Sequence, residues 1–481
     1  MNVLLSRFPQ HPSLSKRLLQ LFPGLSLLQS ISHRNLDAAR LVSSPVLLRA
    51  GCGLLAMPLP HVLVLGAGFA GRRAEADLLA SRRCSVTLVD AAPSFEYLPA
   101  ALRCYVRPSL AQHTVVDHPR RLHRGRAVAA ELAPEAAAPA TLAALLLADG
   151  TRLPCDYLVC ATGASFALPR ASDQARRPHY AAVRRTLDAA PSVLVVGGGE
   201  VGVEAVAELA AAYGRSKRLT LLCSTPTLLP SLPPRAGAAA AAWLRAAGVT
   251  LHLGDRCADW GGARGGAGFE PGQHELTTAA GVVLAAACVI DATGGVPRAG
   301  YLAGTPGALT QKGALAVTPS LRVAPLRNVF AAGDVAQGVG ANALAAEVSG
   351  ALAAANVLRL MAADARARPA TAAALEACCR PYTPPPRVAL VSLGPAAGVA
   401  VLNRFAVASP LLDPLVAAAK WLIQAVQLGL ARERWGFATL WRLMEAVTLF
   451  VGRHAFVEAA GGQAAGGRRP AAEAWTSAFL Q

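Results

Sequence analysis

The sequence predicts an α/β fold in which two parallel-sheet units, one inserted in the other, precede a C-terminal α+β region. Three observations predict it. An apolar run, Val62-Leu63-Val64-Leu65, passes directly into Gly66-Ala67-Gly68-Phe69-Ala70-Gly71, then a helix-compatible segment to Ser81 and a second apolar run, Val86 to Val89, ending on Asp90. The same grammar restarts about 130 residues later: Val193 to Val196, then Gly197-Gly198-Gly199-Glu200-Val201-Gly202-Val203-Glu204, a helical segment to about Tyr213 and the run Leu219 to Leu222. Two further apolar runs end alike, at Ala161-Thr162-Gly163 and at Ala292-Thr293-Gly294.

Strand, glycine turn, helix, strand and acid together make the mononucleotide-binding half of a Rossmann unit. The first glycine permits the tight turn, the second lets a pyrophosphate reach the backbone, and the third allows helix and strand to pack closely. The helix N-terminus offers free N–H groups and a positive dipole end to phosphates, and Asp90 stands where a carboxylate accepts from a ribose hydroxyl. One such motif is weak evidence, because glycines also mark ordinary turns; a second copy on a second strand–turn–helix is much harder to produce by chance. In that second copy Cys223-Ser224 replace the acid, so the 2′-phosphate of NADP is not repelled, and Lys217 and Arg218, close in sequence, could pair with it. NADH and NADPH both stay open, with a slight lean to NADPH.

Between the units, Phe95 to Arg103 reads as a loop entering a helix, Arg126 to Ala129 as a short strand, and Gly261 to Gly272 as an exposed turn between strands. Asn328 to Asp334 reads as a short buried strand followed by a glycine and a carboxylate, and Ala341 to Leu360 as a long alanine-rich helix. Asp334 reads either as a helix N-cap or as a carboxylate for the sugar alcohol of a flavin. Domain boundaries follow: 1–58 a targeting or disordered segment, 59–188 and 298–365 the two parts of the first unit, 189–297 the inserted unit, and 366–481 a C-terminal hairpin with amphipathic helices.

Composition narrows the function. The net charge of +17 rests almost wholly on arginine, with Lys16, Lys217, Lys312 and Lys420 the only lysines among 46 basic residues. Arginine, alanine and glycine share GC-rich codons, which discounts a nucleic-acid reading and leaves general attraction to anionic surfaces. The cysteines have no metal-type spacing; Cys155 and Cys160, five apart on a strand, face opposite ways. No metal site and no Ser-His-Asp set is expected. Residues 1–58 carry Arg7, Lys16, Arg17, Arg34, Arg40 and Arg49 against Asp37 alone, a composition suited to a mitochondrial or chloroplast transit peptide. A cytoplasmic location is the alternative.

With the first glycine turn, Ala161-Thr162-Gly163, the second glycine turn and Phe330-Ala331-Ala332-Gly333-Asp334 in this order, the chain resembles the FAD-dependent pyridine-nucleotide oxidoreductases. Ala100-Ala101-Leu102-Arg103, Gly202-Val203-Glu204 and Leu390 to Gly394 make it most similar to the apoptosis-inducing-factor-like (AMID, ferroptosis-suppressor) flavoproteins, relatives of the type II NAD(P)H:quinone dehydrogenases. The resemblance implies FAD with its pyrophosphate at Gly66, Gly68, Phe69, Ala70 and Gly71 and its ribose at Asp90. Arg103, the backbone near Val128, Thr162, Gly163 and Asp334 would complete that site. NADH or NADPH would lie on Gly197, Gly199 and Gly202, with Glu204 close to the nicotinamide; the alternative for Glu204 is a helix residue solvated at its head. A lone Cys104 makes a dithiol relay unlike this chain, and Gln112-His113 stand where relatives can carry a lysine pair.

After the Pro-rich stretch Pro381 to Pro386, a hairpin (Val388 to Leu402) and two helices over 411–451 are expected. In the first helix Lys420, Gln424 and Gln427 share a face; in the second, Trp435, Phe437, Leu440, Trp441, Met444 and Val447 form an apolar stripe beside Arg432, Arg434 and Arg442. An apolar stripe with arginines and tryptophans suits a helix lying in a membrane interface. The expected activity is hydride transfer from NAD(P)H to FAD, then electron transfer to a quinone. The alternatives are a soluble acceptor or oxygen, or a redox-switched signalling or nucleic-acid-binding protein. Oligomeric state is left open.

Overall fold

Val62, Leu63 and Val64 are wholly buried, as the centre of a parallel sheet covered on both faces requires. They form β1 (His61–Leu65), which leads through the first glycine turn into helix α1 (Phe69–Ser81) and β2 (Ser85–Asp90). Helix α2 (Ala101–Val106) and β3 (Tyr157–Cys160) follow. The inserted unit contributes β4 (Ser192–Val196), α3 (Glu200–Tyr213), β5 (Arg218–Cys223) and β6 (Val283–Asp291). The chain then returns as β7 (Val329–Ala331) and the long helix α4 (Ala343–Ala367). It ends in β8 (Val388–Leu393), β9 (Ala397–Leu402), α5 (Asp413–Ala431) and α6 (Phe437–His454). The computed structural model describes residues 59–118, 121–134, 139–166, 176–263, 269–367, 371–409 and 411–454. The reading for 1–58 lies outside the described residues.

The first sheet runs β7-β3-β1-β2 and then His123–Arg124, all parallel. The second runs Thr250–Leu253, β5, β4, β6, Phe269–Thr278 and Cys257–Asp259, the last two strands antiparallel. The ribbon Ala164–Phe166 with Gly295–Pro297 carries the chain out to the second sheet and back. Gly272, expected in an exposed turn, lies instead inside the strand Phe269–Thr278, at a register shift between Pro271 and His274. An irregularity there is where a glycine with φ +135° is tolerated.

Alanine content explains the helix packing. Ala70, Ala74 and Leu78 of α1 meet Ala346, Ala353 and Ala354 of α4 in one core, and Gly350 lies so close to the Ala70 carbonyl that a Cβ would strike it. Although α4 is long and apolar enough to cross a membrane, most of it is buried inside the protein. The C-terminal sheet packs Val391, Leu393, Val399 and Val401 onto Val206 and Leu209 of α3.

The helix pair α5–α6 is fastened to α1 by polar contacts. The Arg72 guanidinium donates to the carbonyls of Leu430 and Ala431 (3.5 and 3.1 Å) at the end of α5. A cation there stabilises a helix by roughly 0.3–1 kcal/mol. Arg73 pairs with Glu445 (2.7 Å) and Arg442 with Asp77 (3.1 Å), and Arg121 bridges Glu75 of α1 (3.4 Å) to Glu433 between α5 and α6.

Candidate functional site

At the first turn, Gly66 takes φ +105°, and a Cβ there would strike the Ala161 carbonyl; one on Gly71 would strike the carbonyl of Gly66. A Cβ on Gly68 would meet nothing within 4 Å. The protein therefore fills the space over the first and third glycines and leaves the second open, the shape a pyrophosphate needs against a helix N-terminus. α1 has no acid in its first turn to repel it.

Asp90 stands at the carboxyl end of β2, with Oδ2 accepting from the Ala67 N–H (2.5 Å) and Oδ1 from the Ala92 N–H (2.7 Å). The Gly125 N–H donates to the Asp90 carbonyl (2.9 Å), which brings the segment leading to Val128 to this end. Val128 itself is exposed, at a register shift between Ala127 and Ala129. Thr162 donates to the Arg298 carbonyl (2.7 Å), and Gly163 has φ +66°. Asp334 lies in a short 3-10 turn, Gly333–Val335, beside Ala70 and Ala346. It is not the cap of α4: Asn342 Oδ1 accepts from Ala345 N–H (2.8 Å) and fills that role. Gly66 to Gly71, Asp90, Thr162, Gly163 and Asp334 thus converge at the carboxyl ends of one parallel sheet, where α/β proteins bind ligands. Arg103 points elsewhere: its Nε pairs with Glu208 on α3 (2.8 Å), and its guanidinium lies 5.2 Å from the Trp421 ring centroid.

The second turn repeats the first. Gly197 has φ +122° and abuts the Ala292 carbonyl, Gly202 abuts the Gly197 carbonyl, and Gly199 faces open space. The two Ala-Thr-Gly tripeptides are therefore equivalent, each setting an alanine carbonyl under the first glycine of a turn. Cys223 occupies the register position of Asp90, each one residue beyond the last residue of its strand paired with the central strand (Val89 with Leu65, Leu222 with Val196). Its sulfur fills the space beside Gly198. The expected pairing of Lys217 and Arg218 with a 2′-phosphate is overturned. They stand at the start of β5, and strand geometry puts them roughly 15–20 Å from its carboxyl end. Lys217 Nζ donates to the carbonyls of Asp188 and Ala190 (2.9 and 2.6 Å).

Glu204 is neither solvated nor alone. Its Oε1 accepts from the Ser392 N–H (2.7 Å) and from Lys420 Nζ (2.5 Å), which also donates to Ser392 Oγ (2.7 Å). These groups line a cavity of about 20 Å³ with Arg103, Trp421 and Gln424. The polar face of α5 is turned inward: Lys420 meets Glu204, and Gln427 meets Glu347 on α4. Of its apolar positions, Leu415 and Leu422 are more than half exposed, while Val426 and Leu428 near its end are buried; Leu411, just before the helix, is 88% exposed. In α6 the outward line is Leu440, Leu443, Val447 and Phe450, next to a Trp435 that is 98% exposed. Trp441, expected on that stripe, faces inward and donates to Glu347.

Sequence reading did not single out Tyr97, Arg298 or Glu347. Arg298 lies within electrostatic reach of Asp90. Glu347 had a legible signal, being the lone acid between Asp334 and Asp364 in an alanine-rich helix. Tyr97 had none.

A family model described as pyridine nucleotide-disulphide oxidoreductase matches residues 60–350. Ferroptosis suppressor protein 1 of Homo sapiens is 30% identical over 287 residues, covering 57% of this chain and 74% of that protein. Apoptosis-inducing factor homolog A of Dictyostelium discoideum is 31% identical over 185 residues, 36% of this chain and 43% of that protein. The sulfide:quinone oxidoreductase of Aquifex aeolicus superposes with a TM-score of 0.60 at 15% identity, covering 78% of this chain and 92% of its own. The water-forming NADH oxidase of Lactobacillus brevis gives 0.54 at 17% identity, covering 71% and 75%. At such identities these structures speak for the fold: Rossmann-type domains in a mixed α/β protein.

Proposed function

Because the chain belongs to the pyridine nucleotide-disulphide oxidoreductase family and is an FAD-dependent NAD(P)H oxidoreductase, we propose that it is a quinone reductase working at a membrane surface. FAD, when bound, supplies a ring that takes a hydride from NAD(P)H and gives up electrons to an acceptor. The residues around the first turn fit its pyrophosphate and ribose, and those around the second fit NAD(P)H. The remaining work falls to the chain itself, which must position both, exclude water and handle charge.

One observation carries the quinone reading. In the α5–α6 pair Lys420, Gln427 and Trp441 face the redox units, while Leu415, Leu422, Leu440, Leu443, Val447 and Phe450 stand exposed beside Arg432, Arg434 and Arg442. Such a face suits the interfacial zone of a bilayer, and the polar cavity beneath it joins that face to Glu204. Lys420 Nζ, held by Glu204 and Ser392, is placed to offset negative charge developing on an acceptor oxygen. The cavity has room for about one water, so an acceptor ring enters as α5 lifts. The division into two parts of an FAD unit, an inserted NAD(P) unit and a membrane-facing tail belongs to the same proposal, as does an organellar address for the N-terminal segment.

Protein reduced anaerobically with NAD(P)H should re-oxidise much faster on mixing with a ubiquinone analogue than with buffer, and liposome binding should vanish on truncation after Pro386. Equal re-oxidation rates would remove the quinone; unchanged liposome binding would remove the membrane contact.

A further inference from the structure

Glu347 is a buried carboxylate that the hydride chemistry does not use. It is 4% exposed. Gln427 Nε2 of α5 donates to Oε1 (2.7 Å), and the Trp441 indole N–H of α6 donates to Oε2. Both donors are neutral. The charged groups that face it are Glu445 of α6 and Arg73 of α1, which offset one another. Burial, more than any neighbour, pushes its acid up to about 7. An isolated buried carboxylate is costly, and nothing in the packing of α4 calls for one.

Its position gives it a role. Two residues on, Ser349 Oγ accepts from the Gly333 N–H (2.9 Å) at the first cradle. Tyr97, 4% exposed, packs with Phe69 of the first turn and with Leu428 of α5. Its phenol is held protonated by burial and by the charges of Glu204 and Glu347 together. One hydroxyl therefore lies within electrostatic reach of both carboxylates.

We propose that Glu347 stores a proton that the acceptor takes up as it is reduced. The inference rests on the quinone-type reading. A quinone gains two electrons and two protons; NAD(P)H supplies two electrons with one proton as hydride, and solvent supplies the other. Glu347 breaks its own O–H bond, and an acceptor oxygen gains the proton. The carboxylate left behind is stabilised by Gln427 and Trp441 until solvent reprotonates it. Burial suits the state before donation, and the two N–H donors suit the state after it.

The test begins on the unaltered holoprotein carrying nitrogen-labelled tryptophan, with the Trp441 indole resonance assigned by its loss in Trp441→Phe. That resonance should titrate with a midpoint of about 7 and should stop titrating in Glu347→Gln. In the same variant, re-oxidation of pre-reduced protein by a short-chain ubiquinone analogue should slow by about tenfold or more and lose its decline at alkaline pH. Bleaching by NAD(P)H should keep its rate, and Glu347→Asp should recover part of the loss. An indole resonance that is flat across the neutral range in the unaltered protein overturns the proposal without any variant. So does a Glu347→Gln protein that re-oxidises at the native rate. Failure of the unaltered protein to pass electrons to the quinone at all would instead sink the acceptor reading.

Discussion

In the first glycine turn the carboxylate of Asp90 reaches back to the Ala67 N–H, and the helix behind it begins without an acid. In the second, at the same register, Cys223 packs its sulfur against Gly198, and the helix opens on Glu200. The three motif glycines match position for position, with Gly198 where the first turn has Ala67, and the side chains around them differ in charge. The first cradle offers a ribose acceptor and an unopposed dipole, which suits a dinucleotide that stays. The second has no acid at the ribose end and a carboxylate near the phosphate end, which suits one that arrives and leaves in every turnover.

The comparison breaks most sharply at the middle glycines. Gly68→Leu should fold, since its side chain enters open space, yet purify colourless; Gly199→Leu should stay yellow while its KM for NAD(P)H rises at least about tenfold, or ~1.4 kcal/mol. Absorbance spectra and steady-state kinetics decide, and equal loss of colour in both would erase the distinction. Asp90→Ala removes the acceptor of a backbone N–H, a change of about 1–3 kcal/mol, and should weaken FAD retention accordingly in dialysis.

Cys223→Asp should give the second cradle the acid it lacks. The ratio of kcat/KM for NADH over NADPH is then expected to rise about tenfold, and an unchanged ratio would mean that the ribose lies elsewhere. The smallest effect is expected at Glu200, whose acid is raised by burial first and by Glu204 second. Rising pH ionises it beside the phosphates, so NAD(P)H binding should weaken by a few-fold from acid to neutral pH and flatten in Glu200→Gln. Stability has the same sign. A raised folded-state acid stabilises the fold below the ordinary carboxylate range and loses that contribution as pH rises through its folded value, so the melting temperature of Glu200→Gln should fall less than the native value over that interval.

Much of the first site was legible because it is local. Gly66 to Gly71 and Asp90 lie within 25 residues, and their spacing alone fixes turn, helix start and strand end. The pairing of Glu204 with Lys420 spans 216 residues, and that of Glu347 with Trp441 spans 94; no periodicity reports contacts of that reach. Lys217 misled for the same reason, since nearness in sequence placed it at the wrong end of its own strand.

The sequence by itself determined the two cradles, their order and the amphipathic character of the last two helices, because glycine stereochemistry and apolar periodicity act over a few residues. Which way those helices turn was decided by tertiary structure. Lys420, Gln427 and Trp441 find carboxylates on α3 and α4, half-buried Glu204 and buried Glu347, and satisfying those groups leaves several leucines, a valine and a phenylalanine on the outside.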